Sequence, residues 1–273
     1  MNILERFIVF ISGTMTKPTL YGWFHIMWIL IFIATIALIF IFRKKINDRV
    51  FKIILIVTTV VLILFEVYKQ LVFSFNKTTG EWNYAWYAFP FQFCSTPMYV
   101  LFTCIFMKNE KLLKSLYAYL ATFSFFAGTA VVFYPITVFI DTIGINIQTM
   151  VHHGTMILFA VLLYATGRVE FKVMTVVRAL PVFLTLATMA MCMNFIRGDY
   201  ANFNMFFIAP EGTCDIPVLA LLHGEVPYVI FLLAYVLGFT LVASVMLCIA
   251  YGVKKLYTLI CNKIKPQEFV VAQ

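Results

Sequence analysis

The residues with chemical potential in this chain are few, and they stand where polar groups are costly. Cys94 sits in "FPFQFCSTPMY", where two prolines, a glutamine, a serine and a threonine lead into an apolar run. His152 and His153 are adjacent in "QTMVHHGTMI", Glu66 and Gln70 are four apart in "FEVYKQ", and His25 lies in "YGWFHIM". Asn194 precedes the polar stretch "RGDYANFN", which holds Asn202 and Asn204. A cysteine becomes a nucleophile when a nearby base or positive potential raises its thiolate fraction. Histidine is the usual base, because its unperturbed pKa lies near working pH. A carboxylate such as Glu66 can orient the imidazole as a third member. His152 and His153 project about 100° apart on a helix, so at most one faces Cys94 squarely. His25, Glu66 and one of these histidines could also be imagined around a metal. Adjacent histidines rarely chelate one ion, however, and the HExxH spacing is missing, so no metal is expected. Neither a Gly-rich phosphate loop nor a GxSxG elbow is present, and no cofactor is expected.

The elements that must position these residues are membrane helices. Of 273 residues, 63% are hydrophobic and 12% charged, against about half and a quarter in soluble domains. Apolar runs of about 20 residues recur, each long enough to cross a bilayer core. The chain therefore reads as an all-α, multi-pass integral membrane protein, in a bacterial plasma membrane or a eukaryotic endomembrane. Its seven spans fall at 20–42, 50–74, 87–107, 112–134, 145–166, 175–196 and 226–252. The first run is too long for a signal-peptide core and is taken as retained. Residues 1–19 form an interfacial segment with Leu4, Phe7, Ile8 and Ile11 on one face, and 253–273 form a basic cytoplasmic tail.

Charge sets the orientation. The segments 43–52, 107–114, 167–178 and the C-terminal tail hold 15 of the 20 Lys and Arg residues. They alternate with basic-poor connections, which places the N-terminus outside and the C-terminus in the cytoplasm. The net charge of +8 is mostly this signal, and no clustered basic face suggests a nucleic-acid partner. Six cysteines show neither a CxxC pair nor a disulfide-framework spacing. "NKT" at Asn76 is a glycosylation acceptor pattern on an expected outside loop.

Converted to depth at about 1.5 Å per residue, the polar groups share one layer. His25 lies roughly 8 Å below the outer end of span 1, and Gln70 and Glu66 lie about 6 and 12 Å below the end of span 2. Gln92 and Cys94 fall roughly 8 to 10 Å down span 3, and His152 and His153 about 10 to 12 Å down span 5. Asn194 sits near the outer end of span 6. Each has a plain structural alternative: an intramembrane Gln or Asn commonly bonds a neighbouring helix, Glu66 can pair with Lys69, and His25 or His152 can be satisfied by a carbonyl. Independent structural contacts should scatter through the bilayer, so coincidence across five spans points to a common site. Pro90 suits the first turn of span 3, and Pro97 is expected inside that helix, kinking it beside Cys94.

Taken in order, these pieces resemble the YwaF-like integral membrane protein family. The matching elements are "YGWFHIM", "FEVYKQ", "FPFQFC", "HHGTMI", "ANFNMFFIAP" and "EVPYVI", which together run from about Tyr21 to Tyr251. The resemblance implies a seven-helix bundle, a Cys nucleophile at Cys94 and a His base at His153, whose following Gly154 fits the pattern. It also implies lipid chemistry, because a vertebrate member moves a fatty acyl chain from phospholipid to lysophospholipid without acyl-CoA. Gln92 stands where the family often has His.

The first functional expectation is thus a lipid acyltransferase or hydrolase working through acyl-Cys94, with His153 and Glu66 as its other catalytic groups. His25, Gln70, Gln92, His152, Asn194, Asn202 and Asn204 are the supporting or substrate-binding candidates, and Gln92 and the three asparagines are the expected oxyanion donors. Membrane phospholipids and lysophospholipids are the expected partners, and the sequence indicates no protein partner. The alternative is a transporter or small-ligand binder that uses the same His/Glu/Gln layer. A sensor or assembly subunit is a third possibility.

Overall fold

In a computed structural model, the structure describes residues 2–264. Its helices are α1 (Ile3–Ile11), α2 (Trp23–Phe42), α3 (Asp48–Ser74), α4 (Thr96–Phe106), α5 (Glu110–Tyr119), α6 (Phe125–Phe133), α7 (Ile143–Ala165), α8 (Val173–Arg197) and α9 (Tyr228–Ile264). A π-helical turn, Leu120–Ser124, joins α5 to α6 in one continuous rod, Glu110–Phe133. Among the described residues, β pairing is limited to two isolated bridges, Thr14 with Thr142 and Phe75 with Trp82. Among the described residues six helical stretches, α2, α3, the α5–α6 rod, α7, α8 and α9, are long and apolar enough to cross a membrane, and the protein is an integral multi-pass membrane protein.

Local signals set most boundaries. The Asn47 side chain accepts from the Val50 N–H at 3.0 Å and opens α3, with Asp48 in the first turn. Asn109 caps α5 through the Lys111 and Leu112 N–H groups. Gly198, at φ +68°, closes α8 in the left-handed conformation that suits glycine. α9 continues to Ile264, through the first part of the segment expected as a tail; residues 265–273 of that segment lie outside the described residues.

The third apolar segment departs from expectation. Its helix was expected from residue 87 but begins at Thr96, after turns over 90–95. Pro97 does not kink a helix interior. It sits in the first turn of α4, where a missing N–H leaves no bond unmade. Pro90 lies in the turns rather than in a helix. The eleven residues of α4 rise about 16 Å, roughly half of a hydrocarbon core. The rest of the segment is irregular backbone, which is tolerated at membrane depth only where protein satisfies it.

Packing explains which helix holds the site. In α7, 67% of the spanning window is buried, against 17% in α2. α7 lies among α2, α3 and α6, so its polar side chains meet protein rather than lipid. One aromatic core joins Phe93, Phe123, Phe183, Tyr235 and Phe239, with Phe123 and Phe183 stacked at 4.6 Å and Tyr235 and Phe239 at 4.5 Å. A second cluster packs Phe24 and Phe32 of α2 against Phe139, Met150 and Ile157. α1 docks through Ile8 onto Val72, Phe75 and Ile145, while Ile3, Phe7 and Phe10 stay exposed.

Candidate active site

The site forms where the backbone before α4 is not helical. Unwinding frees carbonyls, and side chains take them up. The Thr96 hydroxyl donates to the Phe93 carbonyl at 2.8 Å, while the Gln92 carbonyl accepts from the Ser95 and Thr96 N–H groups. The Cys94 carbonyl receives a hydrogen bond from His152 Nε2 at 2.9 Å. Thr96 also bonds the Tyr119 hydroxyl at 2.8 Å, tying the start of α4 to α5. Cys94 itself is partly exposed and joined in no disulfide. Its neighbours in electrostatic terms are Lys69, Glu66 and the Ser95 hydroxyl.

Both α7 histidines are buried, His152 at 2% and His153 at 7% exposure. Carbonyl oxygens only accept, so their partners assign the ring protons. His152 carries its proton on Nε2, facing Cys94. His153 carries its proton on Nδ1, donating to the Thr149 carbonyl at 2.7 Å. The remaining nitrogens, His152 Nδ1 and His153 Nε2, are buried and have no partner. A proton there would be a buried donor with nothing to receive it, so each ring presents a bare lone pair. The link to Cys94 runs through its carbonyl rather than its thiol, and it belongs to His152, not to the His153 expected as base.

α3 supplies the charges. Glu66, 5% exposed, accepts from Gln70 Nε2 at 2.6 Å and pairs with Lys69 Nζ at 2.9 Å, both through Oε1. Gln70 Nε2 also donates to the Ala88 carbonyl at 2.8 Å. With both partners acceptors, the amide orientation is fixed. Glu66 Oε2 and Gln70 Oε1 are left buried without a donor. The Lys69 ammonium lies within electrostatic reach of Cys94, His152 and His153. It is the site residue that the sequence did not single out. Its spacing three residues after Glu66 was the available signal, and that spacing also fits a plain neutralised pair.

Several expected site residues turn out to hold backbone instead. Gln92 donates to the Asn204 carbonyl at 2.9 Å and accepts from the Phe206 N–H at 3.0 Å. Asn194 donates to the Met205 carbonyl at 3.0 Å and accepts from the Met205 N–H at 2.7 Å. Asn204 donates to the Thr213 carbonyl and accepts from the Ala209 N–H, both at 3.0 Å. Each of these amides thus spends its oxygen and one N–H on backbone and keeps a second N–H. They brace a turn whose Phe206 and Phe207 have φ of +62° and +55°, a region costly for a bulky side chain. Asn202 is exposed and donates to Asp199. His25 is likewise committed: Nδ1 accepts from the Tyr21 N–H at 3.0 Å and Nε2 donates to the Val132 carbonyl at 2.7 Å. It clamps α2 to the end of α6.

Two openings adjoin the cluster. A groove of about 720 Å³ runs between α3 and α4, with Glu66 and Gln70 among otherwise largely apolar walls that include Ile63, Met98 and Phe102. A second opening of about 600 Å³, lined by Asn76, Trp86, Asp199 and Asn202, shares Ser74, Asn83 and Tyr84 with the groove. Among the described residues, no three His, Cys, Asp or Glu side chains are grouped to hold a metal ion.

Comparison with known proteins fits this architecture. The sequence model of the TMEM164 family matches residues 20–251, nearly the whole spanning region. Comparison with curated proteins gives no match, and comparison with solved structures gives none. The chain belongs to the TMEM164 family.

Proposed function

We propose that this TMEM164-family protein is a membrane-embedded acyltransferase that carries a fatty acyl group on Cys94 between two lipids. The observation that supports the reading is His152, on a buried helix, bonding the Cys94 carbonyl while its Nδ1 and His153 Nε2 stay without partners. His152 Nδ1 or His153 Nε2 accepts the thiol proton. The sulfur attacks the ester carbonyl of a phospholipid, and the carbon–oxygen bond breaks. The departing lysolipid oxygen takes the proton from the imidazolium. An acceptor hydroxyl then gives its proton to the same nitrogen and attacks the thioester, and the thiol is restored. One ester is consumed and one is made, so the cycle needs no external energy source. The group for the developing oxyanion is the charged Lys69 ammonium, a stronger donor than the second N–H that Gln92, Asn194 and Asn204 each retain. It bonds Glu66 and has protons to spare.

The short α4 and its irregular entry make a third crossing, for seven in all. The Lys and Arg distribution puts the N-terminus outside. The site then lies in the extracytoplasmic leaflet, near the depth of acyl ester carbonyls. The test is acyl exchange between isotopically labelled phospholipid and lysophospholipid in proteoliposomes. Cys94→Ala should abolish exchange, and removing the acting histidine should cost about 10²- to 10⁴-fold. Undiminished exchange in Cys94→Ala, or proton-coupled solute flux with no lipid turnover, overturns the proposal.

A further inference from the structure

The opening of about 600 Å³ at the ends of α3 and α8 has a lining that the chemistry placed on Cys94 does not use. Trp86 and Tyr87 line it and stay 37% and 63% exposed, and Tyr84 stands edge-on to Trp86 at 4.8 Å. Trp and Tyr also collect at membrane interfaces as anchors, but an anchor needs no polar partners around it. Here the rings share the opening with four polar groups that make no hydrogen bond among the described residues: the Ser74, Tyr84 and Tyr87 hydroxyls and the Asn83 amide. Unlike the bare Glu66 and Gln70 oxygens, these atoms are not sealed from solvent.

The charges at the rim offset each other. Asp199 receives Asn202 Nδ2 on both carboxylate oxygens at 3.2 Å, and Arg197 Nη2 lies 3.9 Å from it. The same guanidinium covers one face of Trp86 at 3.7 Å. A cation, a quaternary ammonium included, would meet Arg197 beside that ring, and an anion would meet Asp199. The lining therefore suits an uncharged ligand. Hydroxyls donate and accept, and the Asn83 amide does both, so the ligand must present several groups of both kinds close together. It must also offer a C–H face to the electron-rich faces of the aromatic rings. A sugar ring has both features.

From this we propose that the opening is a binding site for a neutral saccharide, with Tyr87 stacked on a sugar ring and Ser74, Asn83 and Tyr84 bonding its hydroxyls. Its volume falls in the range of about 300 to 1,000 Å³ usual for small-molecule sites. A free oligosaccharide and the headgroup of a glycolipid present the same chemistry to it. The assignment uses neither Cys94 nor the α7 histidines, so it stands apart from the acyl-Cys94 reading.

The full-length protein in phosphatidylcholine nanodiscs is titrated with maltose, lactose and mannobiose, and saturation-transfer difference NMR reads the binding. At least one disaccharide should receive saturation, strongest at its ring C–H protons. Tyr87→Ala, at an exposed position, should weaken binding about three- to tenfold through the lost ring contact, whereas Tyr87→Phe should keep the C–H signal. Asn83→Ala, whose side chain is exposed and bonds nothing in the protein, should weaken it about two- to tenfold. Choline chloride and inorganic phosphate should displace none of it. Nanodiscs carrying monoglucosyl diacylglycerol distinguish the two sources. Loss of transfer to the free disaccharide there assigns the site to a glycolipid headgroup, and unchanged transfer assigns it to a free saccharide. No transfer to any of the three disaccharides, equal transfer from protein-free nanodiscs, undiminished binding in Tyr87→Ala and Asn83→Ala, or displacement by choline each overturns the assignment.

Discussion

Replacing Lys69 by Met should expose how much of the site's order depends on one ion pair. The Glu66 and Lys69 side chains are 6% and 14% exposed, with 2.9 Å between the ammonium and Oε1. Lys69→Met removes the countercharge but leaves the Gln70 hydrogen bond, so Glu66 becomes a buried carboxylate with one partner. Breaking a buried pair from one side costs about 3 to 5 kcal/mol. Glu66→Gln is milder, at about 1 to 2 kcal/mol, because its amide oxygen still accepts from Lys69 and Gln70. The double variant carries no buried charge, and its loss should be close to that of Glu66→Gln alone. The predicted coupling is therefore about 3 to 5 kcal/mol, the whole of the Lys69→Met loss and well above the ~0.5 kcal/mol scatter of independent sites. The assay is a double-mutant cycle on the four proteins by reversible denaturation in mixed micelles. Additive losses would refute the reasoning, because they would mean that the two charges do not depend on each other in the folded bundle.

Other outcomes follow from packing. A Cβ at Gly128 would stand 2.5 Å from the His153 carbonyl and 2.7 Å from Met156 Cβ, so Gly128→Ala should destabilise by about 1 to 3 kcal/mol and slow acyl exchange by moving α7, both read on the same preparation. At Gly154 a Cβ would collide with the Phe32 ring; Gly154→Ala should therefore loosen the α2–α7 contact, seen as faster amide hydrogen exchange over Trp23–Phe32 and His152–Met156. Gln92→Leu removes the Phe206 N–H's side-chain partner and leaves the Asn204 carbonyl with the Phe207 N–H; it should lower stability by about 1 to 3 kcal/mol, measured as a shifted denaturation midpoint. An unshifted midpoint would mean that the Phe206 turn holds itself.

Helix positions were legible wherever hydropathy alone decides them. α3, α7 and α8 begin and end within two or three residues of the spans expected at 50–74, 145–166 and 175–196. The third segment was not legible in the same way. Residues 90–95 mix Phe with Pro, Gln and Ser, and only the carbonyl partners supplied by Thr96 and His152 show that the chain stays unwound there. The π turn at Leu120–Ser124 likewise leaves no mark in periodicity. Its Ala121 carbonyl is met by the Tyr164 hydroxyl at 2.9 Å, from another helix. For the site, a shared depth grouped Glu66, Gln70, Cys94 and the two histidines, and the structure joins Cys94 to His152 and Glu66 to Gln70. Depth does not report direction, however. His25, Gln92 and Asn194 have suitable types and heights, yet each already bonds backbone, at Val132, Phe206 and Met205. Lys69 was hidden for the opposite reason, since a Lys three residues from a Glu has an ordinary explanation that needs no site.

The central claim is that Cys94 carries the acyl group, and the covalent intermediate tests it most directly. The purified protein is incubated with a phospholipid of defined acyl composition in the absence of acceptor, and intact-protein mass spectrometry follows. The account predicts a mass increase equal to one acyl group, located on Cys94, released by hydroxylamine and by added lysophospholipid, and missing from Cys94→Ala. An adduct on another residue, or lipid turnover with Cys94 unmodified at every time point, would contradict it.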